Sequence, residues 1–339
     1  MAVNDTLVSS IGSINNTAAE PLALNVNYDT KYATYLKLFS GELFKAYESA
    51  TVAKGTVQNR TIKNGKSMQF IFTGRMTADY HTPGKPILGS GDPPVAEKLI
   101  KVDDLLISSA FVYDLDETLA HYSLRGEISK KIGHALAEVY DKKIFRVIAL
   151  AAREAHPINV APGPEPGGSI IKIGANNQYD AQKLVDAFFE AAAILDEKNL
   201  PKDGRTAVLN PRQYYALVSQ VDTNILNRDY GNSSGNLTSG EGLYEIAGIQ
   251  LKRSNNLPFQ AGSISAVDGE NNPYNGDFSN HAGLIYQKDA AGVVEAIGPQ
   301  VQTTGADIKT MYQGDLIVGR LAMGADTLNP AAAIEIQTA

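Results

Sequence analysis

Residues 105–153 read LLISSAFVYDLDETLAHYSLRGEISKKIGHALAEVYDKKIFRVIALAAR, and the parsing of this stretch decides the fold. Its first part, 105 to 114, is a short apolar run rich in β-branched and aromatic residues, which predicts a buried strand. From about Asp116 to Arg153 the period becomes helical: Leu119, Tyr122, Ile128, Ile132, Leu136, Val139, Ile144, Val147 and Ile148 mark an apolar side. Asp114 is the expected N-cap, with Glu117 three residues on completing a capping-box-like start. At 1.5 Å per residue such a helix spans roughly 55 Å, more than the diameter of a small domain. It acts as a beam, with Gly126 and Gly133 as the places where it could bend.

Working outward from this segment, the N-terminal side splits in two. Residues 1 to about 30 are small and polar and bury too little to fold alone, so they read as an arm ordered by neighbours. TKYATYLKLFSGELFKAYES (30–49) carries apolar residues near helical spacing. From Thr56 the period is two. TVQNRTIKNGKSMQFIF (56–72) reads as two strands joined at Asn64-Gly65, a type I′ hairpin signal. A Gly/Pro-rich return, 74–94, follows. Residues 51–95 are therefore expected to form an extended hairpin, which is marginal alone and wants a partner surface.

On the C-terminal side, HPINVAPGPEPGGS (156–169) is the expected lobe boundary. A helix from Asp180 to about Asn199 turns Leu184, Phe188, Ala192 and Leu195 inward, and a strand covers Thr206–Leu209. A short helix starts at Asn210-Pro211, Asn as cap and Pro in the first turn. Residues 228–242 read as a flexible loop, 244–258 as a strand pair, 281–298 as a Gly-bounded hairpin, and the close as strands.

Composition narrows function by exclusion. No cysteine is present among 339 residues, which removes disulfides, thiolate metal sites and cysteine nucleophiles together. Thirty basic residues scatter among 37 acidic ones for a net charge of −7, without the clustered basic footprint of a sequence-reading DNA binder. No apolar run approaches a membrane span, and the first 20 residues lack a signal-peptide pattern, so synthesis and use in the cytoplasm are expected.

Three motifs invite chemistry. Asp114-Leu115-Asp116-Glu117-Thr118 after an apolar strand resembles the first motif of magnesium-dependent haloacid-dehalogenase-type phosphohydrolases, with Asp114 as nucleophile and Asp116 as general acid/base. That fold needs repeated βαβ units, whereas a long helix and then mixed strands follow here; acidic residues favoured by a helix N-terminus explain the motif better. Asn64-Gly65-Lys66-Ser67 imitates the end of a P-loop, but Arg60 stands where a glycine is required. The acidic loop Asp268–Asp277 lacks EF-hand order and reads as a solvated loop, and the five histidines have no metal-ligand spacing.

Three longer segments carry a resemblance. GTVQNRTIKNGKSMQFIFTGR (55–75), YDLDETLAHYSLRGEISKKIGHALAEVYDK (113–142) and DLIVGRLAMGADTLNPAAAIEI (315–336) look like tailed-bacteriophage major capsid proteins of the Hong Kong 97 type, in particular those of short-tailed, T-seven-like podoviruses. The resemblance implies an α+β capsid fold: an N-arm (1–50), an E-loop (51–95), and a P-domain (96–155) with its spine helix at about 116–153. It further implies an A-domain (mainly 156–300) and a C-terminal return (301–339). It implies self-assembly into hexamers and pentamers of an icosahedral head around double-stranded DNA, through a scaffolded procapsid that expands. Partners would be further copies, a scaffolding protein and a portal protein, with no membrane, cofactor, metal or catalytic site. Arg60, Lys63, Lys66 and Arg75 are the first candidates for inter-subunit charge pairs, solvated surface charge being the competing reading. A head-decoration or tail protein is the remaining structural alternative.

Overall fold

A computed structural model describes residues 43, 45–47, 50–73, 78, 80–86, 95–115, 124–155, 166–220, 245–303 and 311–338. In chain order the elements are β1 (Gln58–Thr61), β2 (Ser67–Thr73), β3 (Val95–Lys101), β4 (Leu106–Tyr113), α1 (Leu124–Arg153) and β5 (Ser169–Lys172). They continue with α2 (Ala181–Glu197), β6 (Arg205–Leu209), α3 (Pro211–Gln220), β7 (Glu245–Ile246), β8 (Ile249–Arg253) and β9 (Ser263–Ile264). The last are β10 (Gly276–Asp277), β11 (His281–Gln287), β12 (Ala291–Thr303), β13 (Gly314–Thr327) and β14 (Ala333–Gln337). Two compact units divide the chain: Met1–Ala50, Leu106–Ala137 and Ile297–Leu321 form the first, and Thr51–Leu105, Glu138–Ala296 and Ala322–Ala339 the second.

In the first unit, β4 runs antiparallel to the start of β13, from Leu106↔Leu321 to Tyr113↔Gly314. The helical residues Leu43, Ala46 and Tyr47 are buried at i, i+3, i+4 spacing. They pack on α1 where it carries Gly133: a Cβ there would lie 2.9 Å from the Leu43 carbonyl and 3.3 Å from the Tyr47 amide. Gly133 is thus a point of close approach, and α1 continues through it unbroken. The described helix begins at Leu124; 116–123, and with them Asp116 and the Glu117 half of the expected cap, lie outside the described residues.

The second unit holds the main core. Its six-stranded mixed sheet has the order β5-β14-β11-β6-β8-β7. β11, antiparallel to both β14 and β6, is buried along its whole length, as is β6. That explains why their sequences read as continuous apolar runs without alternation. Against this sheet α2 lays Leu184, Phe188, Ala191 and Leu195, all fully buried, and α3 adds Tyr214 and Leu217. Asp180 caps α2, its carboxylate accepting from the Gln182 amide at 3.0 Å, and Asn210 accepts from the Arg212 amide at 3.1 Å to cap α3. The Asn210 cap and the start of a helix at Asp180 match the sequence reading, and each cap is worth about 1 kcal/mol. From Ile144 to Ala152 α1 is buried nearly all round, which is a central helix's pattern and broader than the single apolar side expected.

Several pairings depart from expectation. The strands on either side of Asn64-Gly65 do not pair with each other. β1 pairs in parallel with β12, Gln58↔Gly292 to Thr61↔Glu295, and β2 pairs antiparallel with β3, Ser67↔Lys101 to Thr73↔Val95. The paired strands are therefore 67–73 and 95–101, and only Gly65 of the Asn64-Gly65 pair has positive φ, so no type I′ turn forms there. That turn geometry occurs at Ala247 and Gly248, φ +51° and +78°, closing the β7–β8 hairpin. The 281–298 stretch is no hairpin either: β11 joins the six-stranded sheet while β12 pairs with β1. The loop at 228–242 and the boundary at 156–165 fall outside the described residues.

Candidate functional site

The ribbon β2–β3 separates its side chains by alternation into two faces. One face turns Phe70 and Ile100 into the second unit, both buried. Arg60 lies with its guanidinium 4.5 Å from the Phe70 ring centre, and Lys98 pairs with buried Asp326 at 3.1 Å. A cleft of about 310 Å³ runs along this side, lined among others by Arg60, Phe72, Lys98, Asp289 and Leu328. On the opposite face Ile71 (76% exposed), Val95 (60%) and Leu99 (43%) stand in solvent. An apolar row on a two-stranded ribbon is a surface waiting to be covered.

A second such surface belongs to the first unit. The sequence predicts β4 buried; instead its side chains alternate, Val112 inward and Ile107, Phe111 and Tyr113 exposed. Phe111 meets Tyr113 edge-on at 4.9 Å and Tyr312 at 6.5 Å, giving an aromatic cluster in contact with water. Ile107, Ser109, Phe111 and Tyr113 form the exposed side of the strand, while Ser108 and Ala110 alternate onto the side of Val112.

Buried charge holds the second unit together. Asp103, just after the ribbon, accepts from Tyr274 Oη (2.8 Å), the Asn271 amide (2.9 Å), Asn272 Nδ2 (3.0 Å) and Lys143 Nζ (3.0 Å). The acidic loop around 268–277 is therefore anchored through its Asn and Tyr residues, which a count of its acidic residues does not reveal. Asp141 on α1 accepts from the amides of Val52 and Ala53 at 3.0 and 3.1 Å; burial pushes its carboxyl above the usual range despite these bonds. Glu335 on β14 receives both Arg153 Nε and Nη2 at 2.6 Å and lies 2.7 Å from His281 Nδ1. Burial alone would raise its carboxyl, but the bonds from Arg153 and His281 outweigh that and leave it below the ordinary value. These groups sit far apart in sequence and have no motif spacing, so only their covalent type was legible beforehand.

The residues singled out from sequence are placed as follows. Arg60 stacks on Phe70 within its own chain, and Lys66 stands 3.9 Å from Asp104 with both side chains largely exposed. Lys63 is exposed, and Arg75 lies outside the described residues. Asp114 donates its amide to the Gln313 carbonyl, and its carboxylate is 3.8 Å from Arg125, which binds Asp315 at 2.7 Å. Because β4 is antiparallel to β13, Asp114 does not stand at the carboxyl edge of a parallel sheet, and the phosphohydrolase geometry is not built. Among the described residues no three His, Asp or Glu side chains converge as a metal cage, and no helix is long and apolar enough to cross a membrane.

A long helix, a mixed-sheet lobe and a ribbon with an apolar outer face define a capsid subunit of the Hong Kong 97-type α+β fold. Known proteins agree. The chain is 26% identical over 318 residues to the major capsid protein of Escherichia phage T7, covering 89% of this chain and 91% of that one. It superposes on the capsid structure of the cyanophage P-SCSP1u with a TM-score of 0.74 at 36% identity, covering 86% and 88% of the two chains. The mature capsid of bacteriophage PhiM1, at 16% identity and TM-score 0.67 over 85% and 87%, shares the fold. Residues 70–337 match the family described as Gp10A-like major capsid protein. The chain belongs to that family, and its place is the icosahedral capsid of a tailed-phage virion.

Proposed function

We propose that this subunit forms hexamers and pentamers that close into the phage head around packaged double-stranded DNA, first as a procapsid on a scaffolding protein and then as an expanded shell joined to a portal. In this reading β2–β3 is the E-loop laid over a neighbouring copy, residues 1–50 are the N-arm, α1 is the spine helix, and the six-stranded lobe is the A-domain. The apolar side chains on the outward face of the ribbon carry the proposal: Ile71, Val95 and Leu99, already partly covered, gain about 1–2 kcal/mol each if a neighbour covers the rest. The subunit works by binding copies of itself and turns over no substrate; DNA is enclosed without sequence reading, consistent with the acidic balance of the chain.

Expression with and without the scaffolding protein of the same phage, followed by electron microscopy, is the test. Shells or capsomers are expected, with regular shells depending on the scaffold. Persistent monomers with magnesium-dependent phosphatase turnover, lost on Asp114→Asn, would replace this reading with the enzymatic one.

A further inference from the structure

Helices α2 and α3 cover one face of the six-stranded sheet, and their outer faces differ in chemistry. Along α2 the exposed positions include Gln182, Lys183, Asp186, Phe189, Glu190 and Glu197, so that three carboxylates outnumber one lysine beside Phe189, which is 55% exposed. Burying Phe188 gives α2 its core contact; Phe189, one residue on, points the other way. On α3 the exposed positions include Arg212 and Tyr215, the latter 49% exposed. Arg253 on β8 joins them, donating to Tyr215 Oη at 2.9 Å and lying 5.5 Å from the Tyr214 ring centre. Arg212 stacks 4.4 Å over Tyr179. The α3 face is a cationic aromatic surface whose long side chains are already held by stacking, so little rotamer freedom is left to lose on binding. Tyr and Arg in that arrangement are the side chains that dominate protein interfaces.

We infer that the Arg212–Tyr215–Arg253 face of one copy receives the Asp186–Phe189–Glu190 face of a second copy, which makes this pair the side-to-side contact within a capsomer ring. The inference rests on the capsid reading and adds to it which surfaces meet. Charge decides the pairing. Two copies meeting α3 to α3 would oppose guanidinium to guanidinium, and α2 to α2 would oppose carboxylate to carboxylate, each disfavoured. The mixed pairing is attractive and joins different patches of the two partners; repeated in one direction about an axis it closes a ring when the rotation fits, whereas a twofold pair in which each copy engages both patches of the other would overturn the inference. Phe189 then enters the aromatic surface at its centre, with the charges around it.

Charge exchange tests this directly. Variant A carries Asp186→Lys and Glu190→Lys, variant B carries Arg212→Glu and Arg253→Glu, and a third chain carries all four. All four positions are exposed, so the unassembled chains are expected to keep the parent's circular dichroism, with melting lowered a few degrees in the chains that lose the Arg212 and Arg253 contacts to Tyr179, Tyr214 and Tyr215. A alone and B alone should lose shells by at least about tenfold, since each opposes like charges at every contact. The four-substitution chain should recover them. An equimolar mixture of A and B should close rings only by alternating, and therefore give six-membered rings without fivefold vertices. Normal shells from A or B alone overturn the inference, as does a folded four-substitution chain that makes none. If a reversed chain fails to fold, Asp186→Asn with Glu190→Gln carries the test: reduced shell yield is expected, and an unchanged yield overturns the pairing. Absence of shells from the unaltered chain with its scaffold would overturn the capsid reading itself.

Discussion

In the lobe built on β11, apolar residues from both helices close over the sheet, so that Leu184, Phe188, Leu195, Leu217 and Ile285 are all fully buried within one chain. In the ribbon β2–β3 the same residue types are divided by alternation, Phe70 and Ile100 inside and Ile71, Val95 and Leu99 outside. The lobe completes its core alone. The ribbon completes only half of one. In the proposed function the difference separates two uses of apolar sequence in a shell protein: burial that folds the subunit, and burial deferred until a second subunit arrives. β4 belongs with the ribbon in this respect, its Phe111–Tyr113–Tyr312 cluster left in water.

Substitutions can break or sharpen this contrast, ranked by their effect on the unassembled subunit. Phe188→Ala, in the closed lobe, should cost about 3–5 kcal/mol in urea unfolding. A loss below about 1 kcal/mol would mean that the lobe is not self-sufficient. Glu335→Gln comes next, at about 3 kcal/mol, because Arg153 is left without its bidentate partner. Its pH dependence has a definite sign: the folded carboxyl lies below the ordinary value, so its contribution is complete above the unfolded pKa and is lost as pH falls through the folded one. Unfolding curves from neutral to acid pH should therefore show a steeper acid loss in the parent than in Glu335→Gln. The paired change Ile71→Ser with Leu99→Ser should cost the least, about 1 kcal/mol in the same assay, Ile71 being mostly exposed and Leu99 nearly half exposed. Shell yield, measured by sedimentation with scaffold present, should nevertheless drop sharply. Stability loss without assembly loss would reverse the roles assigned to the two regions.

The elements of the lobe were readable from sequence because local rules and tertiary burial agree there. The helix start at Asp180, the cap at Asn210, the stripe Leu184–Phe188–Leu195 and the strand ending at Leu209 all lie where periodicity and capping chemistry put them. Pairing was less readable, since it depends on partners remote in sequence. Asn64-Gly65 carries a strong hairpin signal, yet β1 finds β12, some 230 residues on, and β2 finds β3. At Ala247-Gly248 the geometry is that of the predicted turn without its usual asparagine. The strand at 106–113 was readable but its burial was not, because a strand with one exposed apolar side and a core strand share one composition. The charged candidates Arg60, Lys63 and Lys66 lie exposed on the β1–β2 segment, Arg60 against Phe70 of its own chain, while the anchors Asp103, Asp141 and Glu335 gave no sequence signal, their partners being backbone amides and side chains that only the fold assembles.

Amide hydrogen exchange on unassembled subunits and on purified shells tests the central claim most directly. The account predicts that β6 and β11 are equally protected in both, whereas β2 and β3 exchange freely in the subunit and gain at least about tenfold protection in the shell. Equal protection of the ribbon in both states, or protection of the lobe gained only on assembly, would contradict it.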